Sequence, residues 1–203
     1  MRTLLQNGWL YDGTGAPARR GSLLIDGETI AAVDAPEGAQ ADLVLDCEGL
    51  AVAPGFIDSH SHNDWFACRP DPLPYFAPFL EQGIATQVAG NCGFSPFGWE
   101  ADTPHRALIG SGLFSLLPDA PDVHDLPGFA AACGRPPVNL LPLYGHMSGR
   151  ISLAGYDPRP LTAEELDRLD DLMASALEAG AGGISLGLMY EPDRYAPYEE
   201  LRR

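Results

Sequence analysis

Two rhythms of apolar and polar residues divide the chain near Pro54. Before it, short runs rich in Leu, Val and Ile cover Thr3 to Gln6, Gly8 to Tyr11, Ser22 to Asp26, Thr29 to Val33, Leu43 to Cys47 and Leu50 to Ala53. Their length and the turn residues between them predict β-strands. Asn7-Gly8 and Asp26-Gly27 punctuate these runs, and the second dipeptide falls between two of them as a hairpin turn does. No residue there forms a catalytic constellation, so residues 1–54 are expected to make a small structural β unit.

After Pro54, strand-like and helix-like stretches alternate. The strand-like ones are Phe56 to His60, Ile84 to Ala89, Val138 to Tyr144 and Gly183 to Leu188. The clearest helix starts at Thr162, whose hydroxyl can cap it while Glu165 reaches back. Leu166, Leu169, Met173, Ala176 and Leu177 then recur at helical spacing until Gly180 ends the run. A shorter helix is predicted over Leu73 to Gln82, closed by Gly83, and Tyr198 to Arg203 reads as the opening turn of another. Such alternation specifies an α/β fold with parallel strands and right-handed crossovers, in which functional side chains gather at the carboxyl ends of strands. Four strands are half of an eight-stranded barrel, which takes roughly 250 residues. A barrel stopped there leaves the edge of its fourth strand unpaired.

Composition narrows the partners. The 203 residues are 45% hydrophobic and 20% charged, as in a globular protein, with 28 acidic residues against 12 basic ones and a formal charge of -16. An acidic field of that size disfavours nucleic acid and anionic membrane surfaces. All the basic residues are arginine, so chemistry that needs a lysine, such as a Schiff base or a metal-bridging carbamate, is excluded within these residues. Met1 to Gly15 lacks the apolar core of a signal peptide and no run approaches the ~20 apolar residues of a membrane span, which points to the cytoplasm. There, Cys47, Cys68, Cys92 and Cys133, which form no C-x-x-C pair, are expected as thiols or ligands rather than disulfides.

The run Ala53 to His62 reads as an apolar strand that ends in two histidines spaced two residues apart, His60 and His62. Side chains at i and i+2 of a strand share a face, so the two imidazoles can converge on a metal ion. By itself the pair is equally a pair of solvent-facing histidines at a strand end. Its setting favours ligands: it follows Pro-Gly and an apolar run, and Asn63 and Asp64 lie at hand to orient the rings. Cys92, in Gly90-Asn91-Cys92-Gly93, falls just past the neighbouring strand. A lone cysteine is usually a small buried hydrophobe, but this position makes a thiolate ligand of zinc the better reading. His105 and His124, in a Pro-rich loop, are expected to be exposed and without a role.

Several segments together resemble the amidohydrolase superfamily. They are the Gly-x-x-x-x-Asp-Gly pattern of Gly21 to Gly27, Ala51 to His62, Gln82 to Thr86 continuing to Gly90-Asn-Cys-Gly-Phe-Ser95, Leu143 to His146, and Gly183 to Pro192. Within it the pattern is similar to the D-aminoacylase branch, the N-acyl-D-amino-acid deacylases, over nearly the whole chain. The His-x-His element is shared across the superfamily; Asn-Cys-Gly is the sign of the branch.

That resemblance implies the amino-terminal half of a (β/α)8 metal-dependent hydrolase barrel over residues 55–203, with about four strands, preceded by a β-sandwich portion over residues 1–54. It implies one or two zinc ions held by His60, His62 and Cys92, the last replacing a carboxylated lysine. Two further histidines and a general-base aspartate are expected beyond residue 203. It implies hydrolysis of an N-acyl-D-amino acid to a D-amino acid and a carboxylate through a metal-bound hydroxide, once a complementing carboxyl-terminal half completes the site. His146, followed here by Met147-Ser148-Gly149-Arg150 where relatives read Gly-Thr-Leu-Arg, is a pocket or structural residue rather than a ligand, and Tyr190 is a substrate-contact candidate. The alternatives are an inactive remnant or interaction module, and a cyclic-amide hydrolase like hydantoinases and dihydroorotases, which would need a lysine ligand further along.

Overall fold

The computed structural model describes residues 1–36, 38–109 and 122–203. These form two compact units, Met1–Gly55 and Phe56–Arg203.

In the first unit, β1 (Arg2–Leu10), β2 (Arg19–Asp26), β3 (Thr29–Val33), β4 (Leu43–Asp46) and β5 (Ala51–Val52) build one sheet in the order β3-β2-β1-β4, with β5 pairing β1 beyond β4. The Asp26-Gly27 turn joins β2 to β3 as expected, with Asp26 opposite Thr29 and Gly27 at φ 59°. Asn7-Gly8 does not end a strand. Asn7 takes a left-handed φ of 63° inside a continuous β1, where the register steps from Leu5↔Leu23 to Gly8↔Gly21. One extra residue on β1 makes this a bulge, and the short polar side chain of Asn7 tolerates it while donating to Asp46 Oδ1 at 2.9 Å.

The second unit alternates as predicted. It runs β6 (Phe56–Ser61), α1 (Asp64–Ala67), α2 (Leu73–Leu80), β7 (Ile84–Ala89), α3 (Leu126–Cys133), β8 (Asn139–Pro142), β9 (Tyr144–Gly145), α4 (His146–Ala154), α5 (Ala163–Glu178), β10 (Ile184–Ser185) and α6 (Tyr198–Arg202). β6, β7 and β8 pair parallel in that order, and β9 pairs parallel with β10. The Leu143 amide bonds to Ala89 and the Tyr144 amide to Gly183, so the stretch 139–145 is one extended strand that leans first on β7 and then on β10. Four neighbouring strands result, without closure into a barrel among the described residues. The fourth is shorter than predicted, two residues in place of six, because past Ser185 the Gly187 amide turns to the Asp193 carboxylate instead of a neighbouring strand.

The helices cover this sheet. α5 begins with the expected capping box, in which Thr162 Oγ1 accepts the Glu165 amide and the Glu165 carboxylate accepts the Thr162 amide. Its Leu169 and Ala176 enter a core of Phe76, Phe97, Phe129 and Tyr144. α4 was not foreseen. It is buried on nearly all sides, including Ser148, Arg150 and Ser152, so it shows no apolar stripe at helical period. The expectation that all four cysteines remain thiols is corrected: Cys68 and Cys133 form a disulfide between the end of α1 and the end of α3, while Cys47 and Cys92 are free. Packing of two helix ends brought together residues 65 apart in sequence, a pairing no spacing rule reveals.

Candidate metal centre

β6 delivers His60 to the carboxyl end of the sheet, and the chain turns after His62 into α1. β7 ends beside it, and Gly90-Asn91-Cys92-Gly93 folds back over the strand ends. Cys92 has φ 56°, a left-handed conformation that an L side chain with a Cβ rarely adopts. Its neighbours Gly90 and Gly93 are left-handed too, at 82° and 79°. Glycine is required at Gly90, where a Cβ would lie 2.2 Å from the Leu143 carbonyl oxygen.

This turn brings Cys92 Sγ to 3.3 Å from His60 Nε2. The ring centroids of His60 and His62 are 5.5 Å apart and nearly edge-on. One donor atom from each of His60, His62 and Cys92 lies within 4.8 Å of the others. Burial, and secondarily the neighbouring His60, hold the His62 imidazole below its ordinary pKa, which favours the neutral form that binds metal. Two imidazoles and a thiol are a donor set suited to zinc, so the residues fit the ion that the sequence implied.

Two side chains tie the turn in place. Asn91 Nδ2 donates to the carbonyls of Val88 and Ser61, and Ser61 stands between the two histidines. On the far side, Ser185 of β10 reaches the same turn. Asn63 Nδ2 bonds to the Tyr75 carbonyl. Asp64 is buried, which drives its carboxyl well above the usual range against the pull of nearby amides, those of Trp65 and Gly90 among them.

The other two candidates lie farther along. Tyr190 is 40% exposed, with its ring 6.1 Å from that of Phe94. His146 is buried, its Nδ1 2.8 Å from Asp193 Oδ1 and its Nε2 3.6 Å from Glu200. Glu200 accepts from Arg150 Nε at 2.8 Å, both side chains fully buried, and Asp193 Oδ2 accepts the Gly187 amide at 3.0 Å. Sequence reasoning missed Ser185, Asp193 and Arg150, since a serine in a strand and isolated charges carry no spacing signal. His124 is half exposed, as expected, but His105 is only partly exposed and packs against Gly155.

No protein-family profile matches the chain. An N-acyl-D-glutamate deacylase of Alcaligenes xylosoxydans xylosoxydans is 37% identical over 200 residues, 98% of this chain and 39% of that protein. A solved D-aminoacylase, from work on its binuclear metal centre, superposes with a TM-score of 0.82 at 32% identity, covering 98% of this chain and 41% of that one. An N-acyl-D-glutamate deacylase from Bordetella bronchiseptica, solved with zinc and a phosphonate mimic of the tetrahedral intermediate, gives a TM-score of 0.78 at 37% identity over the same shares. The fold of the chain is thus similar to that of D-aminoacylase, which defines a subset of the amidohydrolases. The chain matches the amino-terminal part of the D-aminoacylase and N-acyl-D-amino-acid deacylase branch, and spans about two fifths of the length of those relatives.

Proposed function

We propose that this chain is the amino-terminal portion of a zinc-dependent hydrolase of N-acyl-D-amino acids. The observation that carries the reading is the convergence of His60, His62 and Cys92 at the carboxyl ends of adjacent parallel strands. In this reading residues 1–54 are part of a β-sandwich domain and residues 55–203 supply four strands of a (β/α)8 barrel. A carboxyl-terminal half completes the strand circle and brings the remaining ligands and the general-base aspartate.

His60, His62 and Cys92 would hold the ion, which when bound supplies Lewis acidity toward an amide carbonyl. The chain's own residues prepare that position. Partial burial keeps His62 neutral, and Asn91 holds the turn of Cys92 against the strand of the histidines. Tyr190 is the substrate-facing candidate, while His146 supports the segment after β10 through Asp193.

The test is zinc content and deacylase activity of the chain joined with a complementing carboxyl-terminal half. Stoichiometric zinc that is lost in Cys92→Ala, with turnover of an N-acyl-D-amino acid lost in parallel, is the expected result. Unchanged turnover in Cys92→Ala would remove the cysteine from the site and the reading with it.

A further inference from the structure

We infer that Ser185 is a positioning residue for the Cys92 sulfur, setting from β10 the turn that presents it to the histidines. This inference rests on the metal-site reading above. The Ser185 side chain is buried at the edge of the sheet, and its single hydroxyl meets both flanks of the cysteine turn. It accepts the Gly93 amide at 3.0 Å and donates to the Gly90 carbonyl. These two groups bracket Asn91-Cys92, so one oxygen closes a four-residue loop from outside.

The loop needs such a closure. Three left-handed values among its four residues, at Gly90, Cys92 and Gly93, leave it few internal backbone bonds to define the direction of the sulfur. Asn91 fixes it to β6 and β7, and Ser185 fixes it to β10, so the sulfur is referred to both sides of the sheet. The contact behind Ser185 is close as well. A Cβ on Gly187 would lie 2.2 Å from the Cys92 carbonyl oxygen, and the Gly187 amide is held by Asp193. Side chains that orient a ligand without touching the ion typically change metal affinity by about 10- to 100-fold when removed.

Cd2+ titration of the full chain joined with the complementing carboxyl-terminal half, followed by thiolate-to-cadmium charge-transfer absorption, tests this. The wild-type chain is expected to show the band and Cys92→Ala to lack it. Ser185→Ala is expected to bind Cd2+ about 10-fold or more weakly, and Ser185→Thr, which keeps the hydroxyl, to stay near wild type. Ser152→Ala removes another buried hydroxyl, one bonded to the Gly149 carbonyl within α4, and should leave Cd2+ affinity unchanged. Equal affinity and an equal band in wild type and Ser185→Ala overturn the role of Ser185 while the metal site stands. Absence of the band from wild type, with the complementing carboxyl-terminal half present, overturns the metal site and this role together. If Ser185→Ala does not fold, amide exchange in the wild-type chain decides: Cd2+ should slow exchange at Gly93 relative to amides of α5, and no change there overturns the proposal.

Discussion

Cys92 is where chemistry and backbone preference disagree. Its left-handed φ is a conformation that costs an L residue about 1 kcal/mol or more, and one that glycine adopts freely. The sulfur is therefore kept against a local preference for no side chain at all. Cys92→Gly and Cys92→Ala should both lose zinc, but Cys92→Gly should be the more stable by about 1 kcal/mol, because only the glycine relieves the backbone. Urea denaturation of the metal-free chains checks this, and equal stabilities would show that the turn is not strained at Cys92. At this scale the sequence was readable wherever a residue type is bound to a local period. His60 on β6 and His62 just past its end lie two apart and converge, whereas Ser185 meets Gly93 across 92 positions and has no local mark.

Among the elements, α5 shows the closest agreement between expectation and structure, because its signals are all local. Thr162 and Glu165 cap it, its apolar residues recur at helical spacing, and Gly180 at φ 104° follows its end. Arg159 adds a forked ion pair with Glu165, at 2.7 Å through each nitrogen. That guanidinium first, and then the bonds from Thr162, hold the Glu165 carboxyl down at about 2. A carboxyl depressed in the folded state contributes stability above its unfolded value near 4.5 and loses it as pH falls toward about 2. Glu165→Gln is thus expected to be less stable than wild type at pH 7, by about 1 kcal/mol or less given the exposure of Arg159, with the difference vanishing near pH 2. Denaturation midpoints across that range provide the check, and a difference that persists at pH 2 would assign the effect to the cap hydrogen bonds alone. α4 and the Cys68–Cys133 bridge were hidden for the opposite reason. Burial on all sides erases periodicity, and a disulfide follows from tertiary packing.

For the molecule as a whole, charge and the open strands of the second unit act in opposite directions. Phe56 and Ile57 on β6 are about two-thirds exposed, and Leu186 and Leu188 beyond β10 are nearly half exposed, all apolar surface that invites association. The net charge of -16 works against like copies meeting, but it also strains the folded chain by self-repulsion. Screening should therefore raise the melting temperature as NaCl is increased from low concentration to ~0.5 M, where the Debye length falls to a few ångströms. A fall would mean that surface ion pairs such as Arg19–Asp34 outweigh the repulsion. The strand order carries one more consequence. In the second unit each strand lies beside the one that precedes it in the chain, β6 with β7, β7 with β8, and β9 with β10. During synthesis every new strand leaves the ribosome with its partner already made, so these strands can assemble vectorially, in the direction of translation.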